Sequence, residues 1–147
     1  MGVRCFDNLK LKMKFLNIHT NFSHVLFGLQ KEIVCRTAMP ADIVFLVDDS
    51  WSVGPTSFQQ IKEFIADIIR AFQGSVVGQE GIRFGVTVYS DLSRMRIALT
   101  DYSTLEEVLR AVEDVPYEGG NSRTGLALEF LVESVFSPSI IRDNAPK

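Results

Sequence analysis

Residues 42–54 read DIVFLVDDSWSVG. An apolar run, Ile43–Val47, meets two aspartates, and Asp48, Ser50 and Ser52 then fall at alternate positions. A carboxylate and two hydroxyls are hard oxygen donors, better suited to Mg²⁺ or Mn²⁺ than to zinc. One carboxylate brings little negative charge, so an ion held there keeps positions open for an acidic group on a partner. The competing reading is a polar turn whose hydroxyls cap the next helix.

Other chemistries find no support. No Gly-x-Gly-x-x-Gly comes after the apolar run, no Gly-x-x-x-x-Gly-Lys loop occurs, and SWSVG lacks the first glycine of a nucleophile elbow. His19 and His24 are five residues apart, off a shared helical face, and both precede the segment that carries the aspartates. That segment has no evident general base, so catalysis is not expected.

The elements needed to position Asp48, Ser50 and Ser52 are legible. Ile43–Val47 has the continuous apolar character of a strand in a parallel sheet. Phe58, Ile61, Phe64, Ile65, Ile68, Ile69 and Phe72 repeat with helical spacing, with Thr56 or Ser57 as the expected cap and Gly74 at the end. IRFGVTVYS (82–90) predicts a second core strand, and RMRIALT (94–100) alternates like an edge strand. Leu105, Val108, Leu109 and Val112 predict a short helix capped by Ser103 or Thr104. A Gly-rich turn, EGGNSRTG, leads into a last helix with Leu126, Leu128, Leu131, Val132, Val135 and Phe136 as core, stopped by Pro138. The order of strand, helix, strand, strand, helix, helix is α/β, a mainly parallel sheet flanked by helices. Ligands of such sheets bind beyond the carboxyl ends of the strands, where Asp48 stands.

Charge divides the chain. Residues 1–40 hold six Lys/Arg and two acids, whereas the remaining 107 hold nine and sixteen. This places a boundary at Pro40, with a basic extension at 1–40 and a domain at 41–147. Nothing in the domain resembles a basic nucleic-acid face, and no apolar run reaches the roughly 20 residues of a membrane span. The extension begins like a signal peptide, but Asn17, His19, Thr20, Asn21 and His24 interrupt its apolar part. Phe15, Ile18, Phe22, Val25, Leu29 and Ile33 suggest an amphipathic helix, with disorder as the alternative. Asn21-Phe22-Ser23 fits a glycosylation acceptor. Two cysteines, Cys5 and Cys35, are too few for a disulfide scaffold; a Cys5–Cys35 bridge and a free Cys35 thiol both remain open.

Three stretches, in order, resemble one family. DIVFLVDDSWSVG is similar to the opening of a von Willebrand factor type A domain, whose Asp-x-Ser-x-Ser signature ends the first strand. FGVTVYSD resembles its second strand, and YEGGNSRTGLAL resembles its Gly-Gly-Asn-Thr-x-Thr-Gly loop. The Trp between the serines, the YEGGN turn and the closing NAPK look most like fibril-associated collagens. The resemblance covers residues 36–147 and leaves 1–34 outside.

It implies a Rossmann-like A fold, truncated after roughly its first three strands. It also implies a metal-ion-dependent adhesion site, with Asp48, Ser50 and Ser52 as first-loop ligands and Ser122 where threonine is usual. Asp49 stands where glycine is common. The aspartate that closes the family's site is absent, as are the family's later strands, so Mg²⁺ or Mn²⁺ is expected to bind weakly. Ile43–Val47 is then expected to be a bare sheet edge. In the collagen relatives a cysteine matching Cys35 pairs with one beyond the domain's end. Trp51 is either a partner contact or a packed turn residue, and Asp91 either supports the site or is a solvated turn aspartate. Arg123 and Thr124 read as helix-start residues. The implied function is adhesion in the extracellular matrix by a secreted protein, to partners such as collagen fibrils or proteoglycans, with or without metal. The alternative is a non-adhesive A-type domain in intracellular assembly or scaffolding.

Overall fold

The computed structural model describes residues 4–16, 24–36, 40–137, 140 and 142. Two sheets result. The first is an antiparallel hairpin of β1 (Arg4–Leu16) and β2 (His24–Arg36), in register from Arg4 opposite Arg36 to Leu16 opposite His24. This overturns the helix expected for the extension. The stronger signal there is the alternation of Leu9, Leu11, Met13 and Phe15 with Lys10, Lys12 and Lys14, a period of two that suits a strand. Ile18, Phe22 and the Asn21-Phe22-Ser23 triplet lie outside the described residues.

The end of the hairpin is fastened to the main core. Cys35 is disulfide-bonded, which excludes a free thiol there, and the register sets Cys5 directly opposite it. Cys35 is buried in that core, and its amide donates to the Ala71 carbonyl at 2.6 Å.

The second sheet carries the site. Strand β3 (Ala41–Asp48) runs parallel to β4 (Ile82–Tyr89), and β5 (Ser93–Ile97) runs antiparallel to β4, in the order β3-β4-β5. All eight β4 residues are buried, because both edges and both faces of that strand are covered. Among the described residues nothing pairs with the far edge of β3, and Ile43–Leu46 are only half-buried. Among the described residues the free apolar edge expected from the sequence is present.

Helix α1 (Gly54–Arg70) turns Phe58, Ile65 and Ile69 inward against Val47, Phe84 and Val88, whereas Phe64 is exposed. Its expected caps, Thr56 and Ser57, lie inside the helix. The cap is Val53, with no side-chain hydrogen bond, and Pro55 occupies the first turn, where its missing N–H costs nothing. Helix α2 (Leu105–Glu113) has the reciprocal capping box of Thr104 and Glu107 and buries Val108 and Val112.

Helix α3 (Thr124–Phe130) continues into a wider turn over Leu131–Val135. The spacing of its apolar residues predicts core, but Leu126, Leu128, Val132 and Phe136 are exposed, and only Ala127 and Val135 are buried there. The helix reaches β5 but has no further strand to cover among the described residues, so most of its apolar surface stays open. Pro138 lies outside those residues.

At the opposite end of β3 from Asp48 lies a buried ion cluster that no local pattern announces. Arg83 grips Asp42 with two hydrogen bonds of 2.8 and 2.6 Å, and Arg142 reaches the same carboxylate at 2.5 Å. Arg142 also donates to the carbonyls of Ala41, Gly81 and Gln79, tying itself to the start of the sheet.

Candidate metal centre

The polar residues after β3 cluster because the strand ends there and the chain must turn before α1. Val53 and Gly54 both donate backbone N–H groups to the Ser50 carbonyl, closing that turn without help from the serine hydroxyls. The hydroxyls therefore do not cap α1.

They point to one another instead. The Ser50 amide donates to Asp48 Oδ1 at 2.9 Å, and the Ser50 and Ser52 hydroxyls lie 2.9 Å apart. Ser122, far along the chain, donates its hydroxyl to Asp48 Oδ2 at 2.7 Å. All four residues singled out in the sequence thus join one hydrogen-bonded set. Burial would raise the pKa of Asp48, but hydrogen bonds from Ser50, Ser122 and Tyr89 outweigh it and hold the carboxyl below its usual range. An ionised carboxylate surrounded by hydroxyl oxygens is a donor set that fits a hard divalent cation. No cluster of three His, Cys, Asp or Glu side chains exists among the described residues, so any such site rests on one carboxylate and neutral oxygens.

The loop bearing Ser122 is held to the first loop by backbone. Trp51 N donates to Gly120 O at 3.0 Å, and Gly119 N donates to Asp49 O at 3.1 Å. Tyr117 adds a hydroxyl donated to Ser50 O at 3.1 Å, and its ring packs 5.6 Å from that of Phe58. Glu118 accepts from both Arg94 and Arg96 of β5. Asp91 serves as a brace: Asn121 Nδ2 donates to it at 2.9 Å, which holds its carboxyl below the usual range, and Arg123 stands 3.8 Å away.

Thr124 does more than start a helix. Its hydroxyl lies 3.2 Å from Tyr89 Oη and 3.5 Å from Ser122 Oγ, extending the oxygen network toward β4. Neither Thr124 nor Tyr89 stands out in the sequence as part of the site. Asp49 is the other surprise, being wholly buried.

Trp51 is 70% exposed, which decides against a packed turn residue. Its indole lies over Gly119, whose φ of +79° places it in the left-handed region. A Cβ at Gly119 would stand 2.3 Å from Trp51 Nε1. Gly119→Ala is therefore expected to lose about 1–3 kcal/mol from the strained backbone and to displace the indole. Trp51 is the only tryptophan, so its fluorescence reports the site directly. Unchanged emission and an unchanged urea midpoint would refute this account of the loop contact.

The sequence matches the von Willebrand factor type A domain family over residues 42–147. Mouse collagen alpha-1(XX) chain is 42% identical over 114 residues, which cover 77% of this chain and 8% of the collagen. Human collagen alpha-1(XXI) chain is 40% identical over 105 residues, covering 71% of this chain and 11% of that one. The chain therefore spans a small fraction of the length of these relatives. Proximal thread matrix protein 1 from the mussel byssus, solved with a zinc-occupied MIDAS motif, superposes with a TM-score of 0.63. It is 29% identical, with 71% of this chain and 27% of that one covered. Three ordered motifs, the β3-β4-β5 sheet with its helices and this match agree, and the chain belongs to the von Willebrand factor type A domain family.

Proposed function

We propose that the chain is a matrix-adhesion module of a secreted, collagen-like extracellular protein, acting through residues 41–147, with residues 1–40 as a basic extension anchored by Cys35. The observation that supports this best is the 2.7 Å hydrogen bond from Ser122 to Asp48, which gathers hydroxyls from two loops around one ionised carboxylate. Asp48, Ser50, Ser52 and Ser122 would hold Mg²⁺ or Mn²⁺. When bound, the cation supplies a Lewis acid for an acidic residue of a partner, such as a collagen fibril or a proteoglycan core. The protein's share is to hold Asp48 ionised, to aim the hydroxyls and to present Trp51 beside them. The kinship with matrix collagens supports the setting. Catalysis is not part of this reading. No helix among the described residues is long and apolar enough to cross a membrane.

The test is unfolding of the chain in EDTA and then in excess Mn²⁺ or Mg²⁺. Binding to the native state is expected to add about 2.7 kcal/mol at a hundredfold excess over Kd, with the gain lost in Asp48→Ala. A transition blind to both ions overturns the metal-binding role. The exposed indole favours a second reading, in which the same face binds matrix without metal. Capture by immobilised collagen that survives EDTA but is lost in Trp51→Ala would select it.

A further inference from the structure

The ion cluster at the start of β3 is out of electrical balance. Arg83 and Arg142 both hold Asp42, and neither has a second carboxylate partner among the described residues. A guanidinium keeps its charge at any ordinary pH, so two cations share one anion. Arg83 is nearly closed to solvent, its Nε and Nη2 bonded to Asp42 and its Nη2 also to the Ile140 carbonyl at 2.9 Å. Its Nη1 has no hydrogen-bond partner among the described residues, and the buried Nε of Arg142 has none either.

That excess charge borders a cavity of about 310 Å³. Arg83 and Arg142 form part of the wall, and Met95, Leu99 and Val135 form apolar parts of it. Leu99 and Val135 are buried, whereas Thr100, in the same wall, is exposed. A volume near the lower end of about 300–1,000 Å³, with apolar walls and a few charged groups, is usual for a small-molecule site. One excess positive charge is neutralised by a monoanion, and a carboxylate meets a guanidinium in a charge-assisted hydrogen bond. The apolar wall offers an inorganic anion nothing in place of its water, but it suits a hydrocarbon body. We propose that this cavity binds a small monocarboxylate with a short aliphatic body, the carboxylate at Arg83 and the body along Met95, Leu99 and Val135. The site lies at the end of β3 opposite Asp48 and is independent of the metal-binding reading.

The test uses the full chain in EDTA, so that no cation at Asp48 can take the carboxylate, and at constant ionic strength. Hexanoate, hexanol and inorganic phosphate are each titrated while the unfolding temperature and the ¹³C-methyl resonance of Met95, assigned by its loss in Met95→Leu, are followed. Hexanoate is expected to raise the unfolding temperature and to shift the Met95 methyl, both saturably. Hexanol and phosphate should bind about tenfold more weakly or worse, the equivalent of one lost charge-assisted hydrogen bond or of the lost apolar contact. Ala98→Phe, which fills the cavity from its wall and leaves the ion cluster intact, should lose the response to hexanoate. Hexanol binding as well as hexanoate would show an apolar hole without charge recognition, and phosphate binding as well would show a charge site without the apolar wall; either overturns the proposal. So does a Met95 methyl that stays put during the titration, whether or not the unfolding temperature moves, or equal binding by folded Ala98→Phe.

Discussion

Asp42→Ala is expected to cost about 3–5 kcal/mol, as when one partner of a buried ion pair is removed, and so to unfold much of the protein. Arg83 is 3% exposed and would be left as a buried cation facing no carboxylate. Arg142 would lose the same partner, and with it part of the anchor at Ala41 and Gly81. Small domains hold only about 5–15 kcal/mol in total, so the loss is a large share. Asp42→Asn should be nearly as damaging, because an amide cannot accept two charged grips. Urea denaturation measures both, and a variant within about 1 kcal/mol of the native protein, a threshold near the exposed-pair limit, would mean that the cluster is not energetically coupled.

The same carboxylate sets an acid limit. Burial would raise its pKa, but the hydrogen bonds and charges of Arg83 and Arg142 prevail and hold it below the ordinary 3.8. A depressed folded value means that the unfolded chain takes up the proton first. The stabilisation is therefore complete above about pH 4 and is lost as the pH falls through the folded value. Acid titration of unfolding free energy should show this drop in the native protein and a shallower one in Asp42→Asn.

Phe58→Ala should be comparably severe, about 3–5 kcal/mol, the usual cost of emptying a buried aromatic site. Phe58 is 2% exposed in the core, where α1 packs on the sheet. It also supports Tyr117, whose hydroxyl holds the Ser50 carbonyl at the turn. The variant should thus weaken any cation binding along with stability, whereas an equally buried residue remote from Tyr117, such as Ile69, should affect stability alone when shortened to valine. Equal metal affinity in stable, folded samples of Phe58→Ala and the native chain would break the proposed link from core to site.

Much of this architecture is legible because its signals are local. The apolar run of β3, the β-branched run of β4 and the Thr104-to-Glu107 capping box each determine their element within a few residues of sequence. The N-terminal hairpin departs from the helix its scattered apolar positions suggest, because the Leu–Lys alternation after Asn8 carries the better period. Phe64 and the outer face of α3 depart from expectation for another reason. Apolar spacing shows that a helix has an apolar stripe, but only the neighbours decide how wide a stripe is covered.

The sequence by itself determined that Asp48, Ser50 and Ser52 would stand together at a strand's end, since alternate positions in one short turn can hardly separate. Their family resemblance supplied Ser122. Tertiary structure decided the rest: the grip of Arg83 and Arg142 on Asp42, Thr124 and Tyr89 extending the hydroxyl network, Trp51 lying open over Gly119, and Asp49 shut in without a partner among the described residues. Each depends on segments tens of residues apart meeting in the folded chain. Burial and partnership are properties of that meeting, and no single stretch of sequence contains them.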